Sequence, residues 1–179
     1  MPETEQKDQI QLSDDRRVQV RALSARDRDL LCALFLRLGP ASRLGRFFSP
    51  KPRLTSRELT YLTHVDQVRH VALAAVDPVD LSIVAVARYV KYVQEPAIAE
   101  VAVEVADDWQ HAGVGTHLMT RIVEHAAAND IASLTARIRY GNPAARALSR
   151  RLGFHPLAGA GSETCWRLDL ERAWALRAA

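Results

Sequence analysis

Residues 100–115 read EVAVEVADDWQHAGVG, and no other stretch restricts the fold of this chain as strongly. An apolar run ends at Val105 and a polar link carrying Trp109 follows. Gln110, His111, Ala112, Gly113, Val114 and Gly115 then lead into a segment where Val114, Leu118, Met119, Ile122, Val123 and Ala126 recur at helical spacing. The pattern predicts a strand, a tight loop and an amphipathic helix, in that order. Glycine at 113 and 115 lets backbone approach closely without a Cβ clash. The first turn of a helix has unpaired N–H donors and a positive dipole end. Such a loop turns several N–H groups toward one point, where a phosphate fits. Q-x-x-G-x-G alone says little; its place between strand and helix gives it weight.

The rest of the chain supplies a sheet for this unit. Residues 1–15 are polar and without period, which predicts a disordered leader. Val18 and Val20 alternate with polar neighbours in a half-buried strand at 17–22. Ser24 can cap a helix bearing Leu30, Leu31, Leu34, Phe35 and Leu38, which Gly39-Pro40 ends. A short helix plus loop is expected around Pro50 and Pro52, and another short helix at 56–62. Strands at 71–76, 81–90 and 97–105 are joined by short turns and should be antiparallel, with 83–87 apolar enough for a central strand. The helix 114–128 crosses over to a strand at 131–138 that lies parallel to 97–105. Asn142-Pro143 opens a further helix, because asparagine caps and proline fits the first helical position; Gly153 closes it. A last strand at 163–170 precedes a tail, 171–179, with Trp174. The expected fold class is α/β (α+β), a mixed sheet of six or seven strands with helices on both faces, in the order β-α-α-β-β-β-α-β-α-β.

Composition narrows the function classes. The 179 residues fit one domain, placed at 16–170. No apolar run approaches the roughly 20 residues that span a bilayer, so no membrane is expected. Glu3, Glu5 and Asp8 occupy an amino end without an apolar signal core, and Cys32 and Cys165 stand apart without ligand spacing. Reduced thiols and a cytoplasmic location follow as expectations. The net charge of +3 is mild, but Arg37, Arg43, Arg46, Lys51, Arg53 and Arg57 lie in one run with no acidic residue. That run suits an anionic partner, such as an acidic protein surface, or is a solvated basic face. No nucleic-acid-binding motif is present. His64, His70, His117, His125 and His155 lack metal-ligand spacing, so no metal is expected.

The element order, the Q-x-x-G-x-G loop and a second pattern, N-x-x-A-x-x-L-x-x-x-x-G-F at Asn142, Ala145, Leu148, Gly153 and Phe154, resemble the GNAT superfamily of acyl-CoA-dependent N-acetyltransferases over about residues 16–170. Segments RFFSPKPRLTSRELTYLTHVD (46–66) and AEVAVEVADDWQHAGVGTHLM (99–119) are similar to the catalytic domain of bacterial Pat-type protein lysine acetyltransferases. The resemblance implies acetyl transfer from acetyl-CoA to a primary amine, foremost a protein lysine, for example on an acyl-CoA synthetase with an acidic surface around the lysine. It implies that the pyrophosphate lies on the N–H groups of Gln110, His111, Ala112, Gly113, Val114, Gly115 and Thr116. It also implies that two neighbouring strands splay, that the pantetheine arm pairs with Val103 and Val105, and that Asn142 contacts the arm. Asn142 serves equally as a plain helix cap, and both roles can coexist.

An amine acceptor arrives as an ammonium and needs a base to take its proton. Glu100 is the first candidate, since the resemblance places a catalytic glutamate there and burial in an apolar strand would strengthen the base. Glu104 is the rival, on the same strand face as Glu100 and Ala102 unless a bulge breaks the parity. Either could instead be an edge carboxylate in water or paired with arginine. Ser149 stands where many members carry a tyrosine that protonates the leaving thiolate, so the general acid is unassigned. Ala112 stands where an arginine or lysine is common, which shifts phosphate binding to backbone amides, with His111 as a candidate helper. Arg146 or Arg150 could reach a 3′-phosphate or be ordinary exposed helix arginines. Two other functions stay open: acetylation of a small amine, and a non-catalytic acyl-CoA sensor, which the missing tyrosine favours.

Overall fold

The computed structural model describes residues 8–157 and 161–170. In chain order the elements are β1 (Asp8–Gln11), β2 (Arg17–Ala22), α1 (Arg28–Leu36), α2 (Pro40–Phe47), α3 (Ser56–Thr63), β3 (His70–Val76), β4 (Ile83–Lys91), β5 (Ile98–Val105), α4 (Val114–Ala127), β6 (Ser133–Arg139), α5 (Pro143–Arg151), β7 (His155–Pro156) and β8 (Glu163–Asp169). They build one sheet in the order β1-β2-β3-β4-β5-β6-β8-β7. Neighbours are antiparallel except β5 and β6, which run parallel across the α4 crossover. The helix α4 begins after Gly113, whose φ of 94° sets the turn.

Eight strands replace the six or seven expected. The first extra strand lies inside the stretch expected to be a disordered leader: Asp8–Gln11 pairs with β2, Ile10 opposite Val18. The open edge of β2 supplies the backbone partners, and Leu12, 4% exposed, anchors the strand end in the core. The second is the two-residue β7, too short to carry a period. Residues 1–7 of the anticipated leader and the tail 171–179 lie outside the described residues. Gly39-Pro40 both ends α1 and starts α2, with Pro40 in the first turn.

Paired residues in neighbouring strands share a face of the sheet. Glu100, Ala102 and Glu104 therefore share a face with Val90, Arg88 and Val86. The register of β4 on β5 is unbroken from Ala85↔Val105 to Lys91↔Ala99, so no bulge disturbs the alternation in β5. This face is covered by α1, α2 and α3: Arg88 donates to the Leu62 carbonyl at the end of α3, and Arg46 of α2 reaches Glu104. The opposite face carries Val101, Tyr89 and Trp166 under α4 and α5. Tyr89 there meets His125 of α4, and Arg150 of α5 lies over the Trp166 ring. β4 sits centrally with Ile83 to Tyr89 buried, as expected for a strand covered on both sides. Among the described residues no helix is long and apolar enough to cross a membrane.

Candidate active site

The sheet opens between β5 and β6. The two strands pair only at Ile98↔Ser133, Ala99↔Leu134 and Glu100↔Thr135. Beyond Glu100, β5 continues to Val105 while β6 turns to β8 alone. Backbone parity shows what the gap exposes. Ala106 donates to Val84, and the Ile98 carbonyl accepts from Tyr92, so the even-numbered residues aim their backbone groups at β4. The odd-numbered residues Val101, Val103 and Val105 then aim theirs into the gap. Val103 and Val105, singled out by sequence, thus have backbone groups without a strand partner on that side.

The glycine loop lies at the mouth of the gap. A short 3-10 turn, Asp107–Trp109, precedes it. His111 at φ 64° and Gly113 at φ 94° flank Ala112, so left-handed residues alternate and turn successive N–H groups the same way. From His111 to Thr116 no backbone N–H has a hydrogen-bond acceptor among the described residues, and His117 is the first to bond back, to Gly113. Gln110 differs from the expectation: its N–H already donates to Asp107 O. Its side-chain Nε2 lies 3.0 Å from Asp107 Oδ1, 3.1 Å from Ser42 Oγ and 3.2 Å from Val105 O, so Gln110 braces the loop rather than presenting an amide. Gly115 lies against Val105, where an added Cβ would stand 3.3 Å from Cγ2.

Sequence reasoning missed the outer supports of this loop. Ser13, just after β1, bonds the Ala112 carbonyl through both N–H and Oγ at 3.2 Å. Arg16 donates to Asp108 O and stacks over Trp109, 4.0 Å from the ring centroid. Asp107 ties the loop to α2, accepting from Gly39 N and Ser42 Oγ. Ala112, 4% exposed, is a small residue packed inside, with no side chain directed at a ligand.

The two glutamates have opposite surroundings. Glu104 has a side chain 3% exposed, with Oε2 2.6 Å from Arg46 Nε and Oε1 3.6 Å from Arg88 Nη2. Arg88 is itself buried, which pushes its pKa down to about 10 although Glu104 opposes the shift. Arg88 Nη1 also faces His70 Nε2 at 3.1 Å, and the His70 pKa is pushed down to about 4 by desolvation, then by Arg88 and Arg46. Glu100 has a side chain 35% exposed and accepts from Arg137 Nε at 3.1 Å. The burial expected for Glu100 therefore belongs to Glu104. The cause is where α2 stops: its last turn places Arg46 over Glu104, and the helix ends at Phe47 before it covers Glu100.

Most of the basic run is engaged inside the protein. Arg37 pairs with Asp108 and Lys51 with Glu58. Arg43 donates to the carbonyls of Leu36, Leu38 and Pro52 and stacks on Phe35. With Arg46 held by Glu104, only Arg53 and Arg57 of that run are exposed cations with no partner among the described residues. Asn142 caps α5, accepting from Ala145 N at 3.0 Å, and its Nδ2 packs on Gly45 of α2. Ser149 is 8% exposed and its carbonyl accepts from Phe154 N. Arg150 is occupied by Trp166.

Known proteins are similar to this chain in sequence and in fold. The Acetyltransferase (GNAT) family matches residues 41–154. An acetyltransferase of Pseudomonas aeruginosa is 30% identical over 145 residues, 80% of this chain and 77% of that protein. Acetyltransferase Pat of Mycolicibacterium smegmatis is 32% identical over 110 residues, 62% of this chain but 33% of Pat, so the chain spans about a third of that relative. The GNAT domain of S. lividans PAT has a similar structure, with a TM-score of 0.84 at 24% identity over 91% of this chain and 96% of that one. So does yncA of Salmonella typhimurium, solved with its cofactor acetyl-CoA, with a TM-score of 0.70 at 17% identity over 86% and 94%. Below a quarter identity these two likenesses establish the fold. The family match and the Pseudomonas relative go further: the chain belongs to the GNAT family and is an acetyl-CoA-dependent N-acetyltransferase.

Proposed function

We propose that the enzyme carries the acetyl group of acetyl-CoA directly to the ε-amine of a protein lysine, in the cytoplasm, with Glu100 as general base. The carrying observation is the opening between β5 and β6, where the backbone at Val103 and Val105 has no strand partner, with free amides at one end and Glu100 at the other. The N–H groups of His111, Ala112, Gly113, Val114, Gly115 and Thr116 would hold the diphosphate, with the helix dipole of α4 behind them. Val103 and Val105 would pair with the pantetheine arm, and Asn142, beside Gly45, would touch that arm while capping α5. Acetyl-CoA supplies a thioester with an electrophilic carbonyl carbon and a good leaving group. Glu100 takes the proton of the acceptor ammonium, and the freed nitrogen lone pair attacks that carbon. The C–S bond then breaks, so that coenzyme A leaves as a thiolate, which takes up a proton from solvent, while the nitrogen gives up its second proton to water to become the amide. Glu104 is held by two arginines and has a structural role.

The lysine acceptor leans on similarity to Pat. Acetylation of a small cationic amine gains from one observation: three of the six cations of the basic run, Arg37, Arg46 and Lys51, are paired with carboxylates, which weakens the repulsion of a small cation. Thiol release measured with a panel of amines and with an acyl-CoA synthetase separates the readings. Turnover on the protein alone supports lysine acetylation, turnover on free amines supports the alternative, and coenzyme A binding without turnover on either leaves a sensor. Within the leading reading, Glu100→Gln should keep coenzyme A affinity and lower kcat by roughly 100-fold or more. Unchanged turnover at several pH values would remove Glu100 from the chemistry.

A further inference from the structure

A cation already stands beside Glu100 in this structure, at one of its two carboxylate oxygens. Arg137 of β6 donates through Nε to Glu100 Oε1 at 3.1 Å, and the same guanidinium lies over the Phe48 ring, its Cζ 5.0 Å from the centroid. A carboxylate on one side and an aromatic face on the other would accept any alkyl cation, not only this one. Phe48 is held over that guanidinium at some cost. It ends α2 with φ of 59°, a position where glycine is usual. For a residue with a Cβ that conformation costs about 1–2 kcal/mol. Strain of this kind collects at ligand clamps.

Arg137 is also free to leave. Its side chain is 55% exposed. Glu163 of β8 lies opposite Arg139, on the same face of the sheet as Arg137. Its charge acts on Arg137, and its Oε2 is buried without a hydrogen-bond partner. A carboxylate oxygen is therefore waiting on the far side of the guanidinium from Glu100.

We propose that Phe48 and Glu100 form the slot for the acceptor's ammonium, that Arg137 fills this slot in the ligand-free enzyme, and that an arriving acceptor displaces the guanidinium toward Glu163. This rests on the proposed transfer to a cationic amine, and concerns which groups select that acceptor. The exchange conserves charge at each step: one cation replaces another at Glu100, and the displaced one meets an unpaired carboxylate, so neither ion is stranded. The acceptor must then be a cation on an extended stem, since a neutral group cannot compete with Arg137 for the carboxylate. Phe48 and Glu100 touch the acceptor, whereas Arg137 and Glu163 are positioning residues.

The test reads binding instead of turnover, so it can fail or succeed independently of Glu100→Gln. The full chain, with isotope-labelled arginine and coenzyme A present, is titrated with Nα-acetyl-lysine methylamide and, separately, with the neutral norleucine analogue. The Arg137 Nε–H resonance, identified by its loss in Arg137→Gln, should move with the lysine probe only. Arg137→Gln should bind the lysine probe about fivefold more tightly, and Phe48→Ala about fivefold more weakly, the range expected for one cation–ring contact. Glu163→Gln should weaken lysine binding by a smaller factor, because the displaced guanidinium loses its destination. A lysine probe that binds with the Arg137 signal unmoved overturns the proposal. So does Arg137→Gln binding no more tightly than the parent, or lysine and norleucine probes that bind alike or not at all in a millimolar titration. If Glu100→Gln loses turnover while these tests fail, the base stands and the slot falls. If the tests succeed while Glu100→Gln keeps turnover, the slot stands and the base falls.

Discussion

At one end of β5, Glu104 lies between Arg46 and Arg88 with its side chain 3% exposed; four residues back on the same face, Glu100 lies against a single arginine with its side chain 35% exposed. The same residue type on the same strand thus sits in two different media. A carboxylate removed from water and clasped by two guanidiniums cannot turn to an incoming amine without leaving both cations unbalanced in a low dielectric. A carboxylate at the rim with one mobile partner can exchange that partner at little cost, because exposed ion pairs are worth at most about 1 kcal/mol. What separates the two is neither the strand nor the alternation but the length of α2, which covers one position and ends short of the other. Burial here makes a fastener, and partial exposure leaves a group available for chemistry.

The largest expected effect breaks the comparison at its buried end. Glu104→Ala leaves Arg46 and Arg88 without their counter-charge and should cost about 3–5 kcal/mol, read as a lower denaturant midpoint. The fraction that stays folded should retain its kcat. A variant that melts like the parent but has lost turnover would exchange the roles of the two glutamates.

The same cluster should carry a signature in acid. His70 is 8% exposed, and Arg88 Nη1 donates to its Nε2, which requires a neutral ring. The unfolded chain takes up this proton near the ordinary histidine value of 6.5, but the folded protein only at about 4. The folded pKa is the lower one, so the unfolded state binds more protons between these values. Stability is full above pH 6.5 and is lost as pH falls toward 4. The limiting slope is about 1.4 kcal/mol per pH unit, and the whole effect is at most about 3 kcal/mol. Denaturation midpoints measured across this window for the parent and His70→Gln should diverge in slope. Parallel curves would mean that His70 is solvated and the cluster looser than its geometry. The Glu100 end holds no such buried histidine, so Arg137→Gln should leave the acid slope unchanged.

The central strands, the loop and the start of α5 were legible because each is marked locally, by the continuous apolar run at 83–87, by Gly113 and by Asn142-Pro143. What escaped the sequence depends on partners distant along the chain. A basic run can be counted, but its neutralisation needs Asp108 for Arg37 and Glu104 for Arg46, each more than fifty positions away. Asp8–Gln11 has too few residues to show a period, and the edge of β2 decides it. Ser13 looked like part of a polar leader until its bond to Ala112 placed it behind the glycine loop. Alternation put Glu100 and Glu104 on one face, and only the packed end of α2 tells which is covered. The splay itself follows from β6 pairing with β8 along its whole length but with β5 over only three residues, a relation that no single segment encodes.

The smallest expected effect lies away from both glutamates and sharpens the contrast by leaving them untouched. Gly113 has φ of 94°, and a Cβ built there would meet only His117 Cδ2, at 3.9 Å. Gly113→Ala therefore has no collision to relieve, and its cost is conformational, about 1–2 kcal/mol for an L-residue in the left-handed region. The loop can absorb that cost by rotating the amides from His111 to Thr116 out of their common direction. If these amides hold the diphosphate, KM for acetyl-CoA rises several-fold while KM for the acceptor and the acid stability slope stay as in the parent. Gly115→Ala behaves differently, because its Cβ would press on Val105 at 3.3 Å and so act on the packing of α4 against β5. A Gly113→Ala enzyme that melts lower yet keeps its KM for acetyl-CoA would show that the loop's left-handed turn serves the fold alone, and the diphosphate would have to be sought elsewhere along the opening.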